Sequence, residues 1–326
     1  MGGTTTSDRK GRRLVREVRC ATERQFLDAI SPRGKYFRNE GEPYRVLFRG
    51  HADARFALLP AALRSRWKKE PSNTDQVSYE LGAIQNFFWL ADRCGLALPE
   101  DSQTHRRDLF SDVGNYNFPL LGEGDLLWPP REIWSLMALA QHHGLPTRLL
   151  DWSLDARTAA YFAASEAAAW AADPSTAPAG VADLAVWSLS RTDLKVDNLL
   201  SDLMSSLVER GEIPKAEERA PFLKVFAVVT APAASNENLR AQKGVFSLHL
   251  PSSMKPTEPA DRRPMDQILV AEAVQVLLTK FLLPIGQAQR LLRALAFEGI
   301  SAAELFPGYT GIVRAMNERR LWMPQE

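Results

Sequence analysis

Several side chains that could do chemistry lie close together near the middle of the chain, in the stretch LAQHHGLPTRLLDWSLDARTAAYFAA. Two adjacent imidazoles, His142 and His143, are followed within ten residues by Arg148, Asp151 and Trp152. An imidazole can act as an acid or base near neutral pH, a guanidinium can bind phosphate, and an indole can stack on a planar ring. Because this mixture exceeds what a packing core needs, we interpret the stretch as half of a ligand site.

The other half is predicted from residues that lie far away in the sequence. Arg49 follows a run of β-forming residues and precedes Gly50, so its guanidinium is expected at the mouth of a sheet. A planar guanidinium suits bidentate binding of phosphate, which makes Arg49 the strongest candidate for ligand contact. Gln242 ends a polar loop just before another predicted strand, a place where loops commonly carry function.

Each of these candidates also has a structural interpretation that the sequence leaves open. Arg49 could form an ion pair with a carboxylate such as Asp151, and Trp152 could be an ordinary core residue. Either histidine could cap its helix or bond to backbone in the core. Ser153 could be a helix N-cap alone, since no G-x-S-x-G context marks it as a nucleophile. The histidine spacing matches no recognised zinc pattern, so we predict no metal site.

Local geometry predicts which neighbours can share a site. Adjacent residues on a helix point about 100° apart, so His142 and His143 are not expected to face the same ligand. Residues three apart on a strand lie on opposite faces, so we expect Arg148 and Asp151 to have different partners.

The elements that must position these residues can be predicted from periodicity and caps. Helical spacing and capping signals predict helices over residues 22–30, 76–94, 131–143, 155–172, 287–297, 302–305 and 311–318. Runs of β-forming residues predict strands over residues 43–48, 147–152, 182–189, 223–230, 245–250 and 274–283. Helices combined with strands grouped mainly in the second half predict an α+β fold. We expect residues 1–20 to be a disordered leader and residues 21–326 to form one large domain.

Composition excludes some classes of protein. The 326 residues carry a net charge of +1, so the overall balance does not suggest a nucleic acid or an acidic surface as partner. No run of about 18 apolar residues occurs, so we expect no membrane partner. The two cysteines, Cys20 and Cys94, lie far apart and fit a reducing compartment, which predicts a cytoplasmic protein.

Longer motifs resemble the FRG domain, a family named for its Phe-Arg-Gly signature. The resemblance spans residues from about 25 to 320, nearly the whole chain. The matching motifs are Phe48-Arg49-Gly50, Leu59-Pro60 with Arg64, AQHHGLPTRLLDW over 140–152, Tyr161-Phe162-Ala163, Gln242-Lys243-Gly244-Val245-Phe246 and Glu304-Leu305-Phe306-Pro307.

A more distant resemblance is to ADP-ribosyltransferases of the Arg-Ser-Glu type. In that comparison Arg49 takes the Arg position and Ser153 the Ser position. Gln242, with Glu237 nearby, falls near the position of the family's catalytic Glu. The resemblance implies a mixed sheet with several surrounding helices, and NAD as substrate without a metal. The catalytic residues it implies are Arg49, Gln242, His142, His143 and Ser153, and the implied NAD contacts are Arg49, Gly50, Arg148, Asp151 and Trp152.

Two hypotheses about function follow from the resemblance. The first is an NAD-binding effector that transfers ADP-ribose to a macromolecular acceptor, either protein or nucleic acid, or hydrolyses NAD. Such activities often belong to toxins of toxin–antitoxin or phage-defence systems, which implies an antitoxin partner. The alternative is a non-catalytic module that binds a nucleotide or nucleic acid. It is favoured by Gln242, because a glutamine cannot carry the negative charge that stabilises an oxocarbenium-like transition state.

Overall fold

The computed structural model of the chain describes residues 15–37, 46–64, 67–110, 128–190, 226–229, 236–250, 255–271 and 278–323. These residues form an α+β fold around one mixed sheet of seven strands. The strands are β1 Val15–Arg19, β2 Val46–His51, β3 Leu149–Ser153, β4 Asp183–Ser190, β5 Phe226–Val229, β6 Gly244–His249 and β7 Leu278–Pro284. The predicted α+β class is therefore confirmed, while the likeness to ADP-ribosyltransferases stays a prediction.

Ten α-helices surround the sheet in the described ranges. They are α1 Glu23–Ile30, α2 Asn73–Arg93, α3 Gln103–Phe110, α4 Trp134–His142, α5 Ala156–Ala172, α6 Glu237–Ala241, α7 Met265–Ala271, α8 Ala288–Phe297, α9 Ala302–Leu305 and α10 Tyr309–Arg320. Short 3₁₀ turns lie at Ala61–Leu63, Arg131–Ile133, Pro174–Thr176 and Ile285–Gln287. Within these ranges, none of the helices has both the length and the apolar character needed to cross a membrane.

The strand order is β1-β7-β4-β2-β3-β6-β5, with β1 parallel to β7 and every other pair antiparallel. The junction between β2 and β3 is weak, because Phe48 and Ser153 are the one residue pair that joins these two strands. By contrast, β2 pairs with β4 along its whole length, and β3 does the same with β6. The sheet is therefore nearly split between β2 and β3.

Helices cover both faces of this sheet. Phe48 and Leu149 lie on one face, which is covered by α1, α5 and α8 at one end and by α2 and α4 at the other. The opposite face carries Leu47 and Trp152 and packs against α7. The alanine-rich α5 crosses β2 so closely that a Cβ on Gly50 would lie 1.9 Å from the carbonyl oxygen of Ala159.

Each helix and strand predicted above overlaps an observed one, but β1, α6 and α7 were not predicted. The strand β1 also corrects the expected leader, because residues 15–19 pair with β7 and Cys20 is buried. The segment VREVR has charges at three of its five positions and becomes a strand through its pairing with β7, which composition does not show. Residues 1–14 lie outside the described residues.

Candidate functional site

A cavity of about 760 Å³ opens at the split between β2 and β3. Its volume lies within the range of about 300–1,000 Å³ that is typical of small-molecule sites. The lining residues that the sequence predicted are Arg49, Gly50, His142, Asp151, Trp152, Ser153 and Gln242. The cavity therefore brings together most of the predicted site from three separate parts of the chain.

Arg49 and Asp151 meet through the split. Because Phe48 pairs with Ser153, the register places Asp151 on the same face as Phe48 and places Arg49 on the opposite face. The Nη1 of Arg49 reaches between the strands and donates to the backbone carbonyl oxygen of Asp151 at 2.6 Å. The same nitrogen lies 3.5 Å from Oδ2 of Asp151. The geometry therefore fits both interpretations of Arg49, an ion pair with Asp151 and a ligand contact, because the ion pair leaves part of the guanidinium for a ligand.

Arg49 is also held by His51. The Nε of Arg49 donates to Nε2 of His51 at 3.0 Å. Burial and the nearby charge of Arg49 lower the pKa of His51 to about 3, so its imidazole is neutral at pH 7 and can accept this bond. Burial is the largest influence on the pKa of Arg49 and lowers it, the charge of Asp151 opposes this shift, and repulsion from Arg64 adds to it.

We expect the depressed pKa of His51 to make the fold sensitive to acid. An unfolded histidine has a pKa of about 6.5, so between about pH 6.5 and pH 3 the unfolded state binds more protons than the folded state. Stability therefore falls as the pH falls through this window. From pH 7 to pH 5, His51 alone should remove about 2 kcal/mol from the free energy of unfolding.

Urea denaturation of His51→Gln and of the wild type, at pH 7 and at pH 5, measures the loss of stability that His51 causes. Glutamine keeps an oxygen that can accept from Arg49 but does not titrate. The variant should lose about 2 kcal/mol less than the wild type between pH 7 and pH 5. Equal losses in the two proteins would contradict the assignment.

Asp151 places a carboxylate beside Arg49 in the wall of the cavity. Its Oδ1 accepts a 2.6 Å hydrogen bond from Nε2 of Gln141, the residue before His142 at the end of α4. Thr147 donates its hydroxyl proton to Oε1 of Gln141 and so fixes which side of the amide faces Asp151. The side chain of Asp151 is nevertheless 62% exposed. The carboxylate is therefore oriented by the Gln141 amide and by its ionic contact with Arg49, while it remains accessible from the cavity.

Ser153 and Gln242 line the cavity, but both side chains make structural bonds. The hydroxyl of Ser153 donates to the backbone oxygen of Gln242 at 2.7 Å and accepts from the backbone N–H of Asp155 at 2.9 Å. Asp155 is the N-cap of α5. The Nε2 of Gln242 donates to the backbone oxygen of Leu305 at 3.0 Å. These contacts favour positioning roles over the direct catalytic roles that the resemblance implied.

Three of the implied NAD contacts are also better explained by packing. Trp152 is buried, and its indole Nε1 donates to Ser247 at 2.9 Å. Gly50 is required by the close approach of α5. Arg148 does not line the cavity, because its Nε forms a buried 2.5 Å ion pair with Glu80. The prediction that Arg148 and Asp151 have different partners is confirmed, and the cavity does not bring Arg148 together with the other implied NAD contacts.

The two histidines separate as helical geometry predicts. Both are exposed, but His142 lines the cavity and His143 does not. The Nε2 of His142 lies 2.8 Å from Nδ2 of Asn238. Burial is the main cause of a lowered pKa at His142, and the neighbouring His143 lowers it further while Asp151 opposes the shift. Because an amide NH₂ can only donate, the Nε2 of His142 accepts this hydrogen bond. The implied catalytic role of His143 has no support in this geometry.

Sequence reasoning missed several lining residues, namely Arg64, Gln141, Phe162, Glu166 and Phe306. Four of them lie inside the quoted motifs, but nothing local distinguishes them from a solvated helix end or a core residue. The signal that could have found them is the set of motifs itself. Motifs that carry polar and aromatic residues at distant places in the sequence can meet at one site in the fold. Among the described residues, no group of three His, Cys, Asp or Glu is arranged to hold a metal ion.

Comparison with known proteins identifies part of the chain. Residues 44–171 match the model of the FRG domain family. This segment contains Arg49, Gln141 and Asp151, and it runs from just before β2 almost to the end of α5. The motifs at 242–246 and 304–307 lie outside the matched segment. No curated protein and no solved structure matches the chain.

Proposed function

We propose, from the match of residues 44–171 to the FRG domain family, that the cavity binds NAD and that the protein is an ADP-ribosyltransferase-like effector. In this proposal it hydrolyses NAD or transfers ADP-ribose to a protein or nucleic acid. The observation that carries the proposal is the pair of guanidiniums, Arg49 and Arg64, that line one cavity.

These two arginines offer donors suited to a pyrophosphate. Arg49 is held through Nε and Nη1, and its Nη2 has no hydrogen-bond partner among the described residues. Arg64 is exposed, and within the same ranges no carboxylate pairs with its guanidinium. Arg64 is also close enough to Arg49 to lower its pKa by repulsion. A ligand with two negative charges, such as the pyrophosphate of NAD, reduces the repulsion between these two neighbouring cations.

A third arginine in the cavity wall does not add to this charge. Both oxygens of the Asp53 carboxylate accept hydrogen bonds from the Arg55 guanidinium. This ion pair neutralises Arg55 locally, so the positive charge available to a ligand comes from Arg49 and Arg64.

Aromatic side chains supply surfaces for the planar rings of NAD. Phe162 and Phe306 are partly buried in the cavity wall, with ring centroids 6.0 Å apart and planes at 88°. Phe56 lines the cavity and is 45% exposed. Exposed aromatic faces in a cavity can stack on nicotinamide or adenine. The cavity therefore combines the phosphate-binding and ring-binding surfaces that a dinucleotide needs.

One observation favours a second candidate, a non-catalytic nucleotide or nucleic-acid binding module. The amide of Gln242 is bonded to the backbone of Leu305 and carries no negative charge. A residue at this position can help to shape the cavity, but it cannot stabilise an oxocarbenium-like transition state as a glutamate would. Binding of NAD without turnover is the result that this candidate predicts.

The cellular setting is proposed from the resemblance to toxins. Both cysteines are free thiols, which fits a reducing cytoplasm. We expect overexpression to be toxic through NAD loss or modification of an acceptor, and an antitoxin partner to suppress this effect. Loss of toxicity in Arg49→Ala would tie the effect to the cavity.

Calorimetric titration with NAD, combined with a chromatographic assay for released nicotinamide, tests the proposal. The wild type should bind NAD, and Arg49→Lys should bind about ten- to a hundredfold more weakly because a lysine loses the planar fork of donors. Arg106→Lys is the matched control, because Arg106 also forms ion pairs with aspartates but lies outside the cavity. It should bind NAD like the wild type.

Three results decide between the candidates. Binding with nicotinamide release supports the transferase-like proposal, and binding without release, even with cell extract as a source of acceptors, supports the module. Absence of NAD binding at millimolar concentration in the folded wild type would overturn the proposal.

A further inference from the structure

We infer that the side chain that acts on the nicotinamide ribose is the carboxylate of Asp151 and not the amide of Gln242. This inference rests on the proposed function. Two carboxylates line the cavity within the described residues, Asp151 and Glu166. They differ in how firmly they are held, and that difference selects Asp151.

Asp151 is fixed in both backbone and side chain. It lies inside β3, where it pairs with Phe246 of β6. Its Oδ1 receives the amide of Gln141 at 2.6 Å, and Oδ2 lies 3.5 Å from Arg49. Glu166 is exposed, and within the described residues no hydrogen bond or ion pair holds its carboxylate. Catalysis by charge requires a group whose position is set before the reaction, which Asp151 satisfies.

The arrangement is not explained by stability alone. The contact between Arg49 and the Asp151 carboxylate is long, at 3.5 Å, and the Asp151 side chain is 62% exposed, so solvent screens this ion pair. The shorter bond of Arg49, at 2.6 Å, is the one that it donates to the backbone oxygen of Asp151. The carboxylate is therefore not needed to hold Arg49 in place, and it remains available to a ligand.

Arg49 also fixes the distance between the phosphate site and this carboxylate. A ligand phosphate bound to Nη2 of Arg49 lies on the guanidinium whose Nη1 contacts Asp151. The ribose attached to that phosphate is then brought beside the Asp151 carboxylate. Gln242 cannot compete for this role, since its amide is bonded to Leu305 and is neutral.

The reaction that this geometry supports is substitution at C1′ of the nicotinamide ribose. The C1′–N bond breaks, and its electron pair leaves with nicotinamide. A water oxygen or an acceptor nucleophile forms the new bond to C1′ and loses one proton. The negative charge of Asp151 stabilises the positive charge that develops at C1′, and Asp151 accepts the nucleophile's proton before passing it to solvent.

The test compares Asp151→Asn with the wild type in two assays, NAD binding and nicotinamide release. Asparagine keeps the size and one acceptor oxygen but loses the charge. We expect NAD affinity within about threefold of the wild type and nicotinamide release slower by about a hundredfold or more. Asp92→Asn is the matched control, because Asp92 is also partly exposed and bonded to an arginine but lies outside the cavity.

The outcomes separate this inference from the proposed function. If the wild type neither binds NAD nor releases nicotinamide, the proposed function fails and the inference fails with it. If the wild type releases nicotinamide and Asp151→Asn does so at the same rate, only the inference fails. The inference would also be overturned if Glu166→Gln, and not Asp151→Asn, lost nicotinamide release. Loss of NAD binding in a folded Asp151→Asn variant would overturn it as well.

Discussion

Replacement of Gly50 by alanine is expected to destabilise the fold by about 3 kcal/mol or more. A Cβ at this position would lie 1.9 Å from the carbonyl oxygen of Ala159 and 2.7 Å from the backbone nitrogen of Ala163. Both obstacles are backbone atoms of α5, so no rotamer change can relieve the clash. Either α5 must move away from β2 or the strand must bend, and each change opens the packing of the alanine-rich interface.

Gly82→Ala is the matched control. Gly82 lies inside α2, and a Cβ there would meet nothing within 4 Å. Alanine in a helix interior is favoured over glycine by about 0.8–1 kcal/mol, so this variant should be slightly more stable than the wild type. Urea denaturation of the two variants measures both effects. A loss below 1 kcal/mol for Gly50→Ala would show that α5 does not approach β2 as closely as described.

The second large effect is expected at the buried ion pair of Arg148 and Glu80. Both side chains are at most 3% exposed. The carboxylate of Glu80 accepts from Arg148 at 2.5 Å, from Trp128 Nε1 at 2.8 Å and from Gln76 Nε2 at 2.5 Å. Glu80→Gln should destabilise the protein by about 3–5 kcal/mol, because it leaves the Arg148 charge buried without a counter-charge.

Two comparisons separate charge from shape at this ion pair. Glu298→Gln removes a carboxylate from a more exposed ion pair with Arg157, and its cost should be about 1 kcal/mol or less. The double variant Glu80→Leu with Arg148→Met removes both buried charges, so it should be more stable than Glu80→Gln. The midpoints and slopes of urea denaturation give the free energy of unfolding of the wild type and of all three variants. A Glu80→Gln variant as stable as the wild type would contradict the burial of this pair.

Local signals in the sequence determined most of the secondary structure. Thr22 caps α1 as the capping signals predict, and Gly95 and Gly299 follow the ends of α2 and α8 with positive φ. These features depend on neighbours within four residues, so the sequence contains the needed information. The elements missed, such as β1 and α6, are short and polar, and tertiary contacts stabilise them.

Sequence also determined which parts of the chain belong to one site. The motifs identified Arg49, His142 and Asp151, which all line the cavity, and strand alternation correctly separated Arg148 from Asp151. These inferences succeeded because residue type limits chemistry and local periodicity limits direction.

Only the tertiary structure decided which side chains remain available for a ligand. Ser153 and Gln242 have the right chemistry, but they are bonded to backbone groups at positions 155, 242 and 305. Arg49 and Asp151 project from opposite faces of the sheet and meet because β2 and β3 share a single residue pair. That meeting depends on the register between strands about a hundred residues apart in sequence. No local pattern specifies such a register, since burial of both faces and the packing of α5 on Gly50 set it together.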